Sequence, residues 1–321
     1  MRCQRFILTI GLLLAPALHA ATFSVSSAAD SGNNTLRWAI TQANATPAAD
    51  TIVFNIGGGG ARNIALASAL PAITAPLSID GGTQPGYTNA PLIQIDGRAA
   101  GAGIDGIGQQ FGARALSIIG FTASGVLIDG PGGNTVTLCH VGLNGGGGAL
   151  GNGHTGVYIR SSPNNQIGPG NVISANAVDG VRIDLAAATG NAVFGNRIGT
   201  DINGSGAIAN GFNGVVITAA NNNRIGGSTP TDLNIISGNT RNGVGIAAGA
   251  SGNLIARNYI GLAVDGNAAV SNGEDGVLIV DAPANKVGGD IAGTFNIIAA
   301  QGRQGCPTAG AGHRRYADRG R

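Results

Sequence analysis

The sequence predicts an all-β fold, a right-handed parallel β-helix, on two observations. A Gly-Val-x-Ile tetrapeptide recurs along the chain, and Asn-x-Ile-Gly segments return in phase with it. The tetrapeptide starts at Gly125, Gly156, Gly180, Gly214, Gly243 and Gly276, with spacings of 31, 24, 34, 29 and 33 residues. Short and long spacings alternate, so the unit is a pair of coils, 58 residues from Gly156 to Gly214 and 62 from Gly214 to Gly276. Self-similarity at such a period marks a solenoid. The Leu-rich consensus of leucine-rich repeats and the blade signature of propellers are both missing, as are helix-period segments within the repeats.

Between the tetrapeptides, one coil type carries Asn165-Gln-Ile-Gly168 and Asn171-Val-Ile173. It returns as Asn223-Arg-Ile-Gly226 with Asn234-Ile-Ile236, then as Asn285-Lys-Val-Gly288 with Asn296-Ile-Ile298. The other type reads Asn191 to Gly199 and Asn253 to Gly261, with an earlier copy from Asn134 to Gly142. Aliphatics two apart suit strands with one buried face. Gly and Asn tolerate the left-handed backbone that bends require. One such unit cannot bury its own apolar face, whereas stacking at about 4.8 Å lets each strand bond to its equivalents above and below. Asn165, Asn171, Asn196, Asn223, Asn234, Asn258, Asn285 and Asn296 are expected to form a structural ladder of amide hydrogen bonds along the axis. Cys139 falls where Asn196 and Asn258 stand and is read as a substituted rung. A catalytic thiol there would need a base, and on a strand the adjoining His140 points to the opposite face.

The ends read differently from the body. Arg2 and Arg5 precede an apolar run from Phe6 to Leu18 and small residues at Ala20 and Ala21. This is the layout of a secretory signal peptide, residues 1–20, and the run is too short to cross a membrane. The expected location is secreted or on the cell surface, with no membrane span after cleavage. The formal net charge of +2 misleads, because residues 21–302 hold 11 basic and 15 acidic side chains, a net of −4. Such a body, without a basic stripe or interleaved aromatics, excludes nucleic acid as a partner. Three cysteines give no disulfide framework.

Upstream of the repeats, Thr22 to Gly32 leads into Asn34-Thr-Leu-Arg-Trp-Ala-Ile-Thr-Gln-Ala-Asn44 and then Ala49 to Phe54. Leu36, Ala39, Ile40 and Ala43 fall on one helical face, Asn34 or Thr35 can cap the start, and Pro47 follows the end. Residues 21–60 are therefore expected to cap a β-helix of residues 61–300, since solenoids need capped ends. The segment resembles the N-terminal CSLREA-type domain of bacterial secreted β-helix proteins, whose core is Leu-Arg-x-Ala-Ile-x-x-Ala-Asn, with Asn-Thr here in place of the initial Cys-Ser pair. Ser78 to Tyr87 looks like the first-coil segment of the same family. The resemblance covers residues 22 to about 300 and implies a secreted or surface-associated β-helix of the pectate-lyase-like superfamily, often found within adhesin-like proteins. It implies no single activity.

Chemistry is sought in the long connections Gly142 to Gly156, Gly199 to Gly214 and Gly261 to Gly276, which align and should emerge on one side. Paired-carboxylate hydrolysis needs two acids facing one cleft, and Glu274-Asp275 is the only adjacent acidic pair. Elimination would need calcium-binding carboxylates beside an Arg or Lys base. Lys286 shares an outward rung with Gln166 and Arg224, which reads as solvated surface. The catalytic candidates are Asp201, Asp265 and Asp275 with Arg224 near them. The ligand-binding candidates are His154, Phe212 and Glu274. Asp201-Ile-Asn-Gly-Ser-Gly206 resembles the start of a calcium loop, yet Phe212 occupies its twelfth position instead of Glu. No cofactor is expected otherwise. Tyr158, Phe194, Phe212 and Tyr259 fill no common repeat position, so no aromatic sugar-stacking track is visible.

The repeat phase survives to Gly305, after which no Val, Ile or Leu follows. Residues 301–321 are read as a tail outside the solenoid, either a truncated or frame-shifted end or a disordered tail. The expected function is an adhesin-like, non-catalytic solenoid that presents its loops to polysaccharide or cell-surface glycan. The alternative is a carbohydrate-active enzyme of the pectate-lyase-like group, a lyase or hydrolase.

Overall fold

The computed structural model describes residues 19–100, 103–106, 110–289, 293–302 and 313–316, with the backbone alone at 105–106 and 313–316. The apolar run read as a signal peptide lies outside the described residues, as does most of the tail. The described chain is a right-handed parallel β-helix in which each coil visits three sheets in turn. The first sheet has ten described strands, from Thr22–Val25 to Lys286–Val287, and the second has nine, from Arg62–Ala65 to Ile297–Ile298. The third runs from Ile104–Gly106 to Val277–Val280, where His313–Tyr316 pairs antiparallel with its last strand. Neighbours elsewhere are parallel and are equivalent strands of successive coils.

Register turns the tetrapeptide into columns. Ile128, Ile159, Ile183, Ile217, Ile246 and Ile279 pair in series on the third sheet and are all buried. The glycines that start the first five of these tetrapeptides are set by the next coil rather than by backbone angle. A Cβ on Gly214 would stand 2.4 Å from Ile236 Cγ2 and 2.7 Å from the Gly243 carbonyl oxygen. A Cβ on Gly180 would stand 2.6 Å from both Ile198 Cγ2 and the Gly214 oxygen.

Buried asparagines line all three corners. At the entry to the first sheet, Nδ2 donates to the next Oδ1 from Asn134 through Asn165, Asn191, Asn223 and Asn253 to Asn285. At the corner before the second sheet, the series is Asn171, Asn196, Asn234, Asn258 and Asn296. The eight asparagines singled out in the sequence thus divide between two ladders. A third, at the turn toward the third sheet, runs Asn152, Asn176, Asn210, Asn239 and Asn272 and ends on Gln301 Oε1 at 3.2 Å. Cys139 stands at the head of the second ladder, its backbone N–H donating to Asn171 Oδ1 at 2.9 Å.

Two strands of the 21–60 segment, Thr22–Val25 and Asp50–Phe54, open the first sheet. Between them lies the helix Leu36–Asn44, whose Thr35 hydroxyl accepts the Trp38 N–H at 3.2 Å. Its buried face, Leu36, Ala39, Ile40 and Ala43, is continuous with the core of the coils.

Candidate functional site

The three long connections are pinched into hairpins by the bridges Leu143–Ala149, Thr200–Ala207 and Leu262–Ala269. They stack, with Val264 N–H donating to the Gly204 carbonyl at 2.9 Å, and they fold over the outer face of the second sheet. Arg197 lies beneath Gly204 and Tyr259 beneath Gly266. His140, Val172 and Ile235 of the same outward column are buried.

Asp201 and Asp265 sit in these hairpins and turn their carboxylates onto their own backbone. Asp201 Oδ1 accepts the N–H groups of Asn203 at 3.0 Å and Ser205 at 2.9 Å, and its Oδ2 accepts the Ser205 hydroxyl at 3.1 Å. Asp265 Oδ1 accepts the N–H groups of Asn267 at 2.9 Å and Ala268 at 3.0 Å. Burial opposes ionisation of Asp201, but the hydrogen bonds from Ser205 and Asn203 outweigh it and hold the carboxyl below its ordinary value. For Asp265 the Asn267 and Ala268 N–H groups have the same effect. Both are turn-closing residues. Among the described residues, no group of three or more His, Cys, Asp or Glu is placed to hold a metal ion.

The remaining candidates also separate. Asp275 is buried and belongs to a row with Asp179, Asn213 and Asn242, taking the place before the last four tetrapeptide glycines. Glu274 beside it is half-buried. Phe212 is partly exposed, with the Arg241 guanidinium 4.4 Å from its ring centroid. Arg224 lies on the outer face of the first sheet, 3.7 Å from Asp232 and 5.5 Å from the Phe194 ring centroid. The expected grouping of Arg224 with Asp201, Asp265 and Asp275 is therefore corrected. Repeat alignment gives the column a residue occupies, but not the sheet over which a long turn folds.

His154 does meet other functional groups. It leads into the third-sheet strand Val157–Arg160, whose outward residues Tyr158 and Arg160 share a face, two apart. With Ser124 and Leu127 they line a cavity of about 340 Å³. The His154 and Tyr158 ring centroids are 6.4 Å apart, and His154 Nδ1 is 3.4 Å from the Ser124 hydroxyl. Arg160 pairs with Asp129 at 2.5 Å. The Tyr158 hydroxyl donates to Asp184 at 3.2 Å, and Arg182 pairs with the same carboxylate at 3.1 Å. Burial, then the Asp184 charge, push the Tyr158 phenol above its ordinary value. Sequence reasoning named His154, weighed Tyr158 only as a sugar-stacking ring, and passed over Arg160. Their place at the variable positions of Gly156-Val-Tyr-Ile-Arg160 was the available sign. An imidazole, a phenol and a guanidinium around one open cavity can take up a proton, return one, and hold a carboxylate.

No protein-family model matches the chain, and no match is found among curated proteins. Among solved structures, it is similar to the A-module of the Azotobacter vinelandii mannuronan C-5 epimerase AlgE4, at 15% identity and TM-score 0.52, over 88% of this chain and 78% of that one. The A-module of AlgE6 from the same organism aligns at 16% identity and TM-score 0.37, over 87% and 98%. The likeness to the first is one of fold.

Proposed function

We propose that the protein binds an acidic polysaccharide across the outer face of the third sheet and transfers a proton at the cavity of His154, Tyr158 and Arg160. The observation that carries this reading is the convergence of those three side chains on one open cavity. Arg160 would hold a uronate carboxylate, and His154 would take the adjacent C5 proton, leaving the electron pair delocalised into that carboxylate, while the Tyr158 phenol keeps a proton to return. Returning a proton to the other face inverts the centre. Breaking the C4–O bond instead, with protonation of the departing oxygen, gives an unsaturated end. That solved structures of this fold include a protein named a polysaccharide epimerase supports a sugar-chain partner. Export, proposed from Arg2, Arg5 and the apolar run to Leu18, would bring the chain to such polymers.

A second, adhesin-like reading without turnover draws on the engagement of Arg160 by Asp129 and of Tyr158 by Asp184. Incubation with polyuronates, read for unsaturated ends and for inverted residues by NMR, separates the two. Turnover that falls roughly 10²–10⁴-fold in His154→Ala and Tyr158→Phe supports the catalytic reading. Binding without product supports the second, and neither binding nor product refutes both.

A further inference from the structure

The first sheet carries a separate groove. Its outward column runs Gln166, Ala192, Arg224, Leu254 and Lys286 in register. The corners that follow these strands differ in length. After Arg224–Gly226 the chain takes residues 227–233, including the turn Pro230–Asp232, before the second sheet. After Leu254–Ala256 it takes only Arg257. Beside this short corner lies a cavity of about 510 Å³, floored by Leu254 and Ala256 and flanked by Arg224, Lys286, Asp232 and Thr294.

Two features point to one ligand chemistry. Arg224 and Lys286 stand two coil rises apart, roughly 9–10 Å, comparable with the span of a disaccharide. They are two of the 11 basic side chains in a body of net charge −4. Phe295, which follows the lining residue Thr294 in the chain, is 63% exposed. Guanidinium and ammonium groups select carboxylates, while an exposed aromatic face suits a sugar ring.

We propose that this groove is a second glycan site, binding a carboxylate-bearing sugar chain through Arg224 and Lys286 with Phe295 against a ring. It lies on a different sheet from His154 and works by binding alone.

The full chain carrying Arg160→Ala, which removes the carboxylate contact of the third-sheet cavity, is titrated calorimetrically with a polygalacturonate oligosaccharide, its methyl ester, and single-stranded DNA of equal charge. Oligosaccharide binding is expected to persist in this variant, and to weaken about tenfold or more when Arg224→Ala and Lys286→Ala are added. The methyl ester and the DNA are expected to bind at least tenfold more weakly than the free acid. Lys286→Glu alone, at an exposed site, gives the same direction of change. Binding that is lost with Arg160→Ala alone, or unchanged by the groove substitutions, overturns the proposal. So does equal affinity for the ester, or for DNA. Product formation by the wild type reports separately on the third-sheet cavity.

Discussion

Asn165 and Asn191 are joined twice: both the side-chain N–H and the backbone N–H of Asn165 reach the Oδ1 of Asn191, each at 2.8 Å. The same fork recurs between Asn196 and Asn234. One buried amide therefore satisfies two donors of the preceding coil, which explains why asparagine rather than an aliphatic fills these corners.

Removing a rung should be costly. Asn196 also donates to the Ile167 carbonyl, and its oxygen receives the Asn171 amide. Asn196→Ala should lower stability by about 1–3 kcal/mol, read from the urea midpoint. An unchanged midpoint would show that water replaces the amide.

The tetrapeptide glycine should resist even one added methyl. Gly214→Ala drives a Cβ into Ile236 and the Gly243 carbonyl, and is expected to cost about 1–3 kcal/mol in thermal or chemical denaturation. Its backbone angle is not of the glycine-favouring kind, so stability equal to wild type would mean that the coils can spread.

Cys139 should be inert while the protein is folded. Burial pushes its thiol up to about 12, opposed only in part by hydrogen bonds from the neighbouring backbone. At neutral pH the peptide containing Cys139 should escape alkylation in the native state and react fully in denaturant, as judged by mass spectrometry. Rapid native labelling would contradict the burial.

Acid should loosen the hairpin at Asp201 before the coils. Its folded carboxyl titrates below its ordinary value, so the stabilisation it gives is present above that value and fades as pH falls through the folded one. Hydrogen exchange of the Asn203 and Ser205 amides should accelerate between about pH 5 and pH 2. Asp201→Asn should show faster exchange at neutral pH and little further change. Since both Asp201 oxygens close the turn, a calcium chelator should leave exchange unaltered, and protection that rises with added calcium would restore the metal reading.

Coil, period and corner were legible in the sequence because the glycine, isoleucine and asparagine columns each answer to one repeated contact. Cys139 could be placed by alignment alone. The sites were harder to read, for a physical reason. Asp201 and Asp265 look available as letters, yet short-range bonds to Asn203 and Asn267 occupy them. The third asparagine ladder was hidden because irregular hairpins interrupt its spacing. Arg224 and His154 entered the sequence reading as separate candidates, and only the sheet each faces shows which neighbours they have.

Direction is a last property of the ladders. In all three, the side-chain nitrogen reaches forward to the next rung and each receiving oxygen faces back. Aligned amide dipoles add along an axis, as peptide dipoles do in a helix, and hydrogen-bonded chains polarise one another. The shorter row opposes them, with Asn213 donating back to Asp179 and Asn242 back to Asn213. The ladders therefore contribute a polarity along the coil axis, negative toward the first coils and positive toward the last. Each coil added in phase adds one aligned amide per ladder to that contribution, beside the formal charges of the Arg, Lys, Asp and Glu side chains.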